Sequence, residues 1–235
     1  MTYGSKTRLD GNESTQSLKE LGMLLRNELK IVTRRRVSTV DTLPTHAILP
    51  SFSVPSIFIA HSLGGLTVKE ALLQESDNPE PGTIIHNLYG ALFFGVPSHG
   101  METTALEAMI RGQPNESLVR SISPESETLT DLSQKFKLRF ASGKPKIVYF
   151  YELEESCCPK FENGEWKMTG TPKKILVNKD SATDGGRWIA NVRMEPLNRN
   201  HSDLVKFSNP DDSDLSRVLN ELTKLVGEAE CLSSA

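Results

Sequence analysis

An abrupt change of pattern near residue 60 constrains the fold more than any other feature of this sequence. Residues 56–60 (Ser-Ile-Phe-Ile-Ala) form an apolar run with the length and composition of a buried strand, and helical spacing of apolar residues begins at Leu66. Five residues, His-Ser-Leu-Gly-Gly at 61–65, connect the two patterns. A buried strand that passes into a helix through so short a link predicts a tight turn at one edge of a sheet.

Ser62 stands at the centre of this turn. Ala60, Ser62 and Gly64 match the pattern Gly-x-Ser-x-Gly with alanine in the first place. In that pattern the serine is a nucleophile in a strained backbone conformation, and we expect small residues two positions away on either side because bulky ones would collide. The helix N-terminus directs free N–H groups at a developing oxyanion, so the amide of Leu63 is the expected first donor. The alternative is that Ser62 only caps the helix.

A serine nucleophile needs a general base, and His201 is the candidate. In such hydrolases the chain order is serine, acid, histidine, and His201 is the only histidine that follows every candidate acid. It comes directly after the last candidate strand, residues 189–197. An imidazole accepts protons near neutral pH, which suits the role. The alternative is an ordinary histidine of a surface loop.

The acid of the triad stays open between several carboxylates. Its function is to orient the imidazole and to stabilise its charged form. Glu152 is favoured because it stands at the end of the predicted strand at residues 146–151. Glu154 follows in the same loop, and Asp180 is the other alternative. The carboxylates that are not the acid are expected to be solvated loop side chains.

Apolar runs alternate with helical patterns along the chain. Strands are predicted at residues 56–60, 88–96, 146–151 and 189–197, and helices at 17–35, from 66, over most of 106–140, and at 213–225. Ser17 and Glu20 have the spacing of a capping box for the first helix. This alternation predicts an α/β fold whose mainly parallel sheet carries helices on both faces, in a single domain at residues 1–228. Residues 37–54 are interpreted as an inserted loop and 229–235 as a frayed tail.

Composition narrows the classes of partner. The net charge of −3 argues against binding to nucleic acid, which usually needs a basic excess. The three cysteines, two of them adjacent, do not form a disulfide framework. No apolar stretch reaches the length of a transmembrane helix. We therefore expect an intracellular, cytoplasmic protein. No metal-ligand spacing or phosphate-binding loop is present, so neither a metal nor another cofactor is expected.

Several segments, taken together and in order, resemble a known family. They are residues 1–4, 17–21, 57–66, 68–72, 91–100, 150–152, 179–182, 196–197 and 201–207. They resemble the serine-active-site-containing, lipase-like α/β-hydrolases related to GPI inositol deacylases, in the fungal form often joined to NACHT, ankyrin or TPR proteins. The resemblance implies Ser62 as nucleophile, His201 as base and Glu152 as acid. It also implies ester or lipid-like substrates and membrane association at mitochondria or the endoplasmic reticulum.

The sequence also departs from that family. There, a strand and a loop with a second oxyanion donor precede the segment that resembles residues 1–4, and residues 37–53 have no counterpart. We therefore expect a truncated chain with an incomplete α/β-hydrolase fold, whose exposed sheet edge favours self-association. Losing one oxyanion donor lowers kcat by about 10²–10³, so we expect weak turnover. The alternative function is a catalytically idle, hydrolase-like module of an NLR-type signalling protein.

Overall fold

The computed structural model describes most of the chain, namely residues 13–38, 55–77, 79, 84–141, 145–167, 172–186 and 190–233. Its strands are β1 (Ser56–His61), β2 (Leu88–Phe94), β3 (Lys146–Glu152), β4 (Ser156–Cys157), β5 (Lys160–Glu162), β6 (Glu165–Lys167), β7 (Lys173–Lys174) and β8 (Val192–Leu197). Its α-helices are α1 (Leu18–Ser38), α2 (Leu63–Asp77), α3 (Thr104–Met109), α4 (Glu116–Ser121), α5 (Glu127–Phe140), α6 (Lys179–Ala182) and α7 (Ser213–Ser233).

The central sheet has the strand order β1-β2-β3-β8, and every neighbouring pair is parallel. At the carboxyl ends of the strands, His61 lies opposite Phe94 and Glu152 lies opposite Leu197. Parallel strands bring these ends to one edge of the sheet. The residues that follow β1, β3 and β8 therefore meet there, although they are far apart in the sequence.

Alternate residues of the strands pack against different helices. Phe93 and Tyr149 lie in a core shared with α1, α2 and α5, whereas Leu92 and Phe150 lie in a core shared with α7. All four side chains are buried, and burying each stabilises the fold by roughly 1.5–3 kcal/mol. The predicted parallel sheet with helices on both faces is thus confirmed.

The first helix begins at the predicted capping box. The amide of Ser17 donates to Glu20 Oε2 at 2.7 Å, and the amide of Glu20 donates to Ser17 Oγ at 3.3 Å. Two of the amides left free at a helix start are satisfied in this way. The helix then buries Leu21 and Leu25 in the core that also contains α2. Helix α1 packs against α2, and α2 begins next to Ser62. The packing of α1 therefore helps to fix the position of the turn.

Some predicted boundaries differ from the structure. The frayed tail expected from residue 229 is wrong for residues 229–233, because α7 continues to Ser233 and buries Ala229 to 5% exposure. The last strand begins only at Val192. The small antiparallel pairs β4·β7 and β5·β6 were not predicted as sheets. The expectations for residues 1–4 and nearly all of the 37–54 insertion fall outside the described residues.

The strand β1 stands at one end of the sheet order. Among the described residues it pairs with β2 alone, and its Ile59 side chain is 58% exposed. Self-association through this edge stays a prediction. None of the helices in the described part of the chain is long and apolar enough to cross a bilayer.

Candidate active site

The link between β1 and α2 folds as a sharp turn centred on Ser62. Ser62 has a φ of 51°, in the left-handed region that costs a residue with a side chain about 1–2 kcal/mol. Its amide donates to the carbonyl of Phe94 at 2.9 Å, and its own carbonyl accepts from the amide of Gly65 at 2.9 Å. These bonds hold the strained residue in place. Strain of this kind is concentrated at functional positions.

The tightest requirement for a small residue near Ser62 lies at Gly65. A Cβ added to Gly64 would meet no atom within 4 Å, so alanine, the other small residue expected two positions from Ser62, fits there as well. A Cβ on Gly65 would lie 2.1 Å from Val96 Cγ2. Ala60, at 9% exposure, packs within the core. The close approach of α2 to the chain after β2 therefore requires glycine at 65, one residue later than the pattern indicates.

His201 lies between Ser62 and Glu152. Its Nε2 is 2.9 Å from Ser62 Oγ, and its Nδ1 is 2.8 Å from Glu152 Oε2. The ring is carried by a short 3₁₀ turn, His201–Asp203, directly after β8. The imidazole is buried, whereas Ser62 is partly accessible. The three side chains thus form one continuous chain of contacts that ends at a hydroxyl within reach of solvent.

Glu152 is the last residue of β3 and is 4% exposed. Its Oε1 accepts hydrogen bonds from the amides of Leu176 and Val177 at 2.7 and 3.1 Å, and its Oε2 faces His201. Both oxygens therefore have partners, as a buried carboxylate requires. The two amides fix the orientation of the carboxylate relative to the imidazole.

The two alternative acids lie elsewhere. The side chain of Asp180 is 74% exposed, and its Oδ2 is 2.9 Å from Nδ1 of His99. Glu154 is exposed, and its amide donates to the carbonyl of Arg199. The structure therefore brings Glu152 to His201, and it brings Asp180 to a different histidine.

The main chain of His201 is held on both sides. Its amide donates to Ser156 Oγ at 3.2 Å, and its carbonyl accepts from Nε2 of His61 at 2.9 Å. The pKa of His61 is lowered, because burial disfavours the protonated ring and His201 lies beside it. His61 therefore acts here as a neutral hydrogen-bond donor. The sequence placed His61 beside the turn but did not reveal this contact.

Gly95, which directly follows β2, lies against the imidazole of His201. The sequence patterns did not identify it as a residue of the site. It has a φ of +52°, and a Cβ at this position would lie 3.0 Å from His201 Nδ1 and 2.7 Å from Leu204 Cδ1. Only glycine fits both the backbone conformation and the imidazole. A glycine at the carboxyl end of a buried strand was the available signal.

The start of α2 faces the same region. Leu63 is the first residue of this helix, and Gly64 is the second. The first amides of a helix have no partner within it, and they carry a positive partial charge. Such amides can donate hydrogen bonds to a negatively charged oxygen next to Ser62 and so stabilise it. Within the described ranges, no group of three histidine, cysteine or acidic side chains is arranged to hold a metal.

A second buried charge cluster lies outside this site. Lys69 on α2 donates to Asp184 Oδ2 at 2.7 Å and to Ser98 Oγ at 2.8 Å, and the side chains of Lys69 and Asp184 are fully buried. The ammonium group also lies 5.1–5.5 Å from the centres of three aromatic rings, those of Phe93, Phe136 and Tyr149. No local sequence pattern indicates this pair, because its partners are 115 residues apart.

Further donors converge on Asp184 from neighbouring elements. Ser133 Oγ donates to its Oδ1, and His99 Nε2 and Lys137 Nζ lie 3.2 and 3.1 Å from the same oxygen. Burial alone would raise the pKa of Asp184, but Lys69 and these donors hold the pKa well below its usual range. The hydrogen bond to Asp184 in turn raises the pKa of His99, despite partial burial of the ring.

The sequence is similar to known proteins over part of its length. No protein-family model matches the chain. Over 100 residues, 42% of this chain, it is 41% identical to Protein SERAC1 from Homo sapiens and from Bos taurus, and 36% identical to that from Danio rerio. The aligned part makes up 15% of each relative, so the chain matches a small share of their length.

Two solved structures are also similar. One is the mature form of Bacillus licheniformis lipase BlEst2, with 15% identity, coverage of 81% of this chain and 70% of that chain, and a TM-score of 0.48. The other is phospholipase PlaB from Legionella pneumophila in complex with thio-NAD, with 13% identity, coverage of 60% and 28%, and a TM-score of 0.40.

Proposed function

We propose that this chain is a serine hydrolase that cleaves an ester through an acyl-enzyme. Ser62 is the nucleophile, His201 is the general base, and Glu152 orients His201. One observation carries the proposal: the continuous contact from Ser62 Oγ to His201 at 2.9 Å and from His201 to Glu152 at 2.8 Å. Nucleophile, base and orienting group within hydrogen-bond reach are the signature of this chemistry.

The reaction follows from these contacts. Ser62 Oγ attacks the carbonyl carbon of the ester, while its proton passes to His201 Nε2 and Glu152 stabilises the imidazolium through Nδ1. The amide of Leu63 binds the oxyanion. The imidazolium then protonates the leaving alcohol, and an acyl group remains on Ser62. Water gives a proton to His201 and attacks the acyl carbon, and the imidazolium returns that proton to Ser62 Oγ as the bond from Oγ to the acyl carbon breaks, which releases the carboxylic acid.

The substrate class in this proposal is a lipid-like ester. It is supported by the resemblance of residues 57–66, 91–100 and 201–207 to lipase-like hydrolases. Association with a mitochondrial or endoplasmic reticulum membrane belongs to the same proposal. Both the lipid-like substrate and the membrane association rest on the resemblance. The charges and composition of the chain do not select them, because they are compatible with many small esters.

A fluorophosphonate probe tests the proposal, since it labels only an activated serine. The purified chain is incubated with the probe, and p-nitrophenyl esters of short and long acyl chains are tested alongside. Wild type and a Ser216→Ala control should be labelled, and Ser62→Ala should not. Ser216 is an exposed serine of α7, so its loss leaves the site intact.

Two outcomes would contradict the proposal. Equal labelling of Ser62→Ala would place the reactive serine elsewhere. A folded wild-type chain that neither reacts with the probe nor hydrolyses any ester would favour the alternative, an idle hydrolase-like module, because fold alone does not establish activity.

A further inference from the structure

The Lys69–Asp184 pair joins two elements on which the proposed triad depends. Lys69 lies on α2, the helix that begins directly after Ser62. Asp184 lies at the end of the segment 176–184, and the first two amides of this segment donate to Glu152. Among the described residues, neither side chain of the pair hydrogen-bonds to Ser62 or His201. Its connection to them runs through the backbone on either side.

The segment 176–184 is held as one piece between its two ends. The carbonyl of Leu176 accepts from the amide of Glu102 at 2.9 Å, and the side chain of Val177 is fully buried. Ser181 Oγ donates to the carbonyl of Gly100 at 2.6 Å, and the carbonyl of Ser181 accepts from Ser98 at 3.2 Å. The amides that donate to Glu152 and the carboxylate of Asp184 therefore belong to one segment that is anchored to residues 98–102.

The backbone at Asp184 needs its side-chain partners. Asp184 has a φ of 55°, in the left-handed region, and Gly185 and Gly186 continue the turn with positive φ. Aspartate tolerates this conformation better than most residues, but it is still strained. The buried carboxylate is bound by Lys69, Lys137 and Ser133, and these contacts hold the turn closed.

We propose that Lys69 and Asp184 are positioning residues of the triad. Their buried ion pair fixes the segment 176–184, and through it the carboxylate of Glu152, relative to the helix that carries the oxyanion amides. The inference rests on the proposed function and adds residues to it that do not touch the substrate. It predicts that the bond between His201 and Glu152 depends on a charge pair at the far end of the segment.

The test replaces the pair without leaving a buried charge alone. The variant Lys69→Met with Asp184→Asn keeps the volumes and removes both charges, and asparagine also tolerates the left-handed conformation. The control is Arg26→Met with Glu75→Gln, which removes another ion pair on α2, with Glu75 2% exposed and an Nε–Oε2 distance of 2.6 Å. That pair binds α1 to α2 and has no contact with the segment.

The first measurement is the proton resonance of His201 Nδ1–H in protein labelled with ¹⁵N-histidine, assigned by its absence in His201→Gln. In the double variant this downfield resonance should be lost or move upfield, because Glu152 no longer faces the ring correctly. In the control it should stay in place. A folded double variant with an unchanged resonance would overturn the proposal.

The second measurement is the pH dependence of ester hydrolysis. The double variant should lose about 10² in kcat with little change in KM, as expected for a misplaced catalytic group. Its pH profile should differ from that of the wild type, because Glu152 no longer faces the imidazole correctly. The control should keep the wild-type profile even where its melting temperature falls. A profile unchanged in both would make the pair purely structural.

The two measurements separate this inference from the proposed function. Without turnover in the wild type the proposed function fails, yet the resonance still reports whether the pair orients Glu152. Should the double variant not fold, Lys137→Met removes a milder, partly exposed partner of Asp184. A smaller shift of the same resonance then supports the proposal, and no shift overturns it.

Discussion

Glu152 and Asp184 are two buried carboxylates with different surroundings. The side chains of both are fully buried, and both accept hydrogen bonds from several donors. Glu152 faces an imidazole that contacts the partly accessible hydroxyl of Ser62, whereas Asp184 faces the ammonium of Lys69, which is itself fully buried. A buried carboxylate can thus take a direct part in proton transfer only where its contacts lead to an atom that a substrate can reach.

The two carboxylates also differ in the basic group that each of them faces. An imidazole gains and loses a proton near neutral pH, so the contact with Glu152 can take part in proton transfer. The ammonium of Lys69 is held between Asp184, Ser98 and three aromatic rings. Burial lowers the pKa of Lys69, but the carboxylate of Asp184 opposes this shift, and the direct contacts favour the ion pair. We therefore expect variants of the first group to change activity and variants of the second group to change stability first.

The largest expected effect concerns the contact between Glu152 and His201. His201→Gln should lower kcat for ester hydrolysis by on the order of 10⁶-fold, because the base is lost while a hydrogen-bond donor to Glu152 remains. The melting temperature should change little. Steady-state kinetics and thermal unfolding of the same preparation check both statements. Residual activity near the wild-type level would place the base elsewhere.

The next effect distinguishes the three candidate acids. Glu152→Gln should lower kcat by about 10⁴-fold, because glutamine holds the ring without stabilising its charged form. Asp180→Asn and Glu154→Gln, measured in parallel, should keep kcat within about a factor of two. These two carboxylates do not contact His201. A large loss in either one would contradict the assignment of Glu152.

The third prediction concerns the structural side. Lys69→Met leaves Asp184 buried without its principal partner, and breaking a buried ion pair in this way costs about 3–5 kcal/mol of unfolding free energy. Urea unfolding followed by circular dichroism measures this. Restoring stability by adding Asp184→Asn would show that the unpaired charge is the cause. A change below about 1 kcal/mol in the single variant would contradict the permanent ion pair.

A smaller effect is expected at the glycine beside His201. Gly95→Ala should destabilise the chain by about 2 kcal/mol and lower activity, because the positive φ strains a residue with a Cβ and this Cβ would meet Leu204 and the imidazole of His201. Gly112→Ala is the matched control: its φ is +78°, but an added Cβ there meets nothing within 4 Å. It should cost only the backbone strain and leave kcat unchanged. Equal kinetics of the two variants would remove Gly95 from the site.

The smallest effect is a pH dependence of stability. The pKa of His99 is raised in the folded chain by its hydrogen bond to Asp184, so its protonated form stabilises the fold. This stabilisation is complete below the unfolded pKa and is lost as the pH rises through the folded pKa. His99→Gln should therefore cost more unfolding free energy at about pH 5.5 than at about pH 8.5. Denaturant titrations at the two values check the sign.

The sequence anticipated the parts of the site that are local or set by chain order. The turn at Ser62 shows itself by a strand, a serine and a helix within ten or so residues, and His201 stands where the chain order requires the base. Glu152 was favoured among three carboxylates because it ends a strand. Its selection needs the packing of the segment 176–177 against β3, which no local pattern contains.

Other features depend on tertiary contacts alone. Val96 packs closely against Gly65 and not against Gly64, because sheet packing sets the distance between α2 and the chain after β2. Lys69 and Asp184 meet across the fold from positions 115 residues apart. Neither residue carries a signal in its neighbourhood that names the other.

The sequence by itself therefore determined the α/β class, the succession of the four central strands and the long helices along the chain, and the candidate serine, because these depend on hydrophobic period and on residues adjacent in the chain. The tertiary structure decided which carboxylate faces His201 and which charges are paired in the interior. Those outcomes depend on side-chain distances and on burial, and both arise only when remote segments pack together.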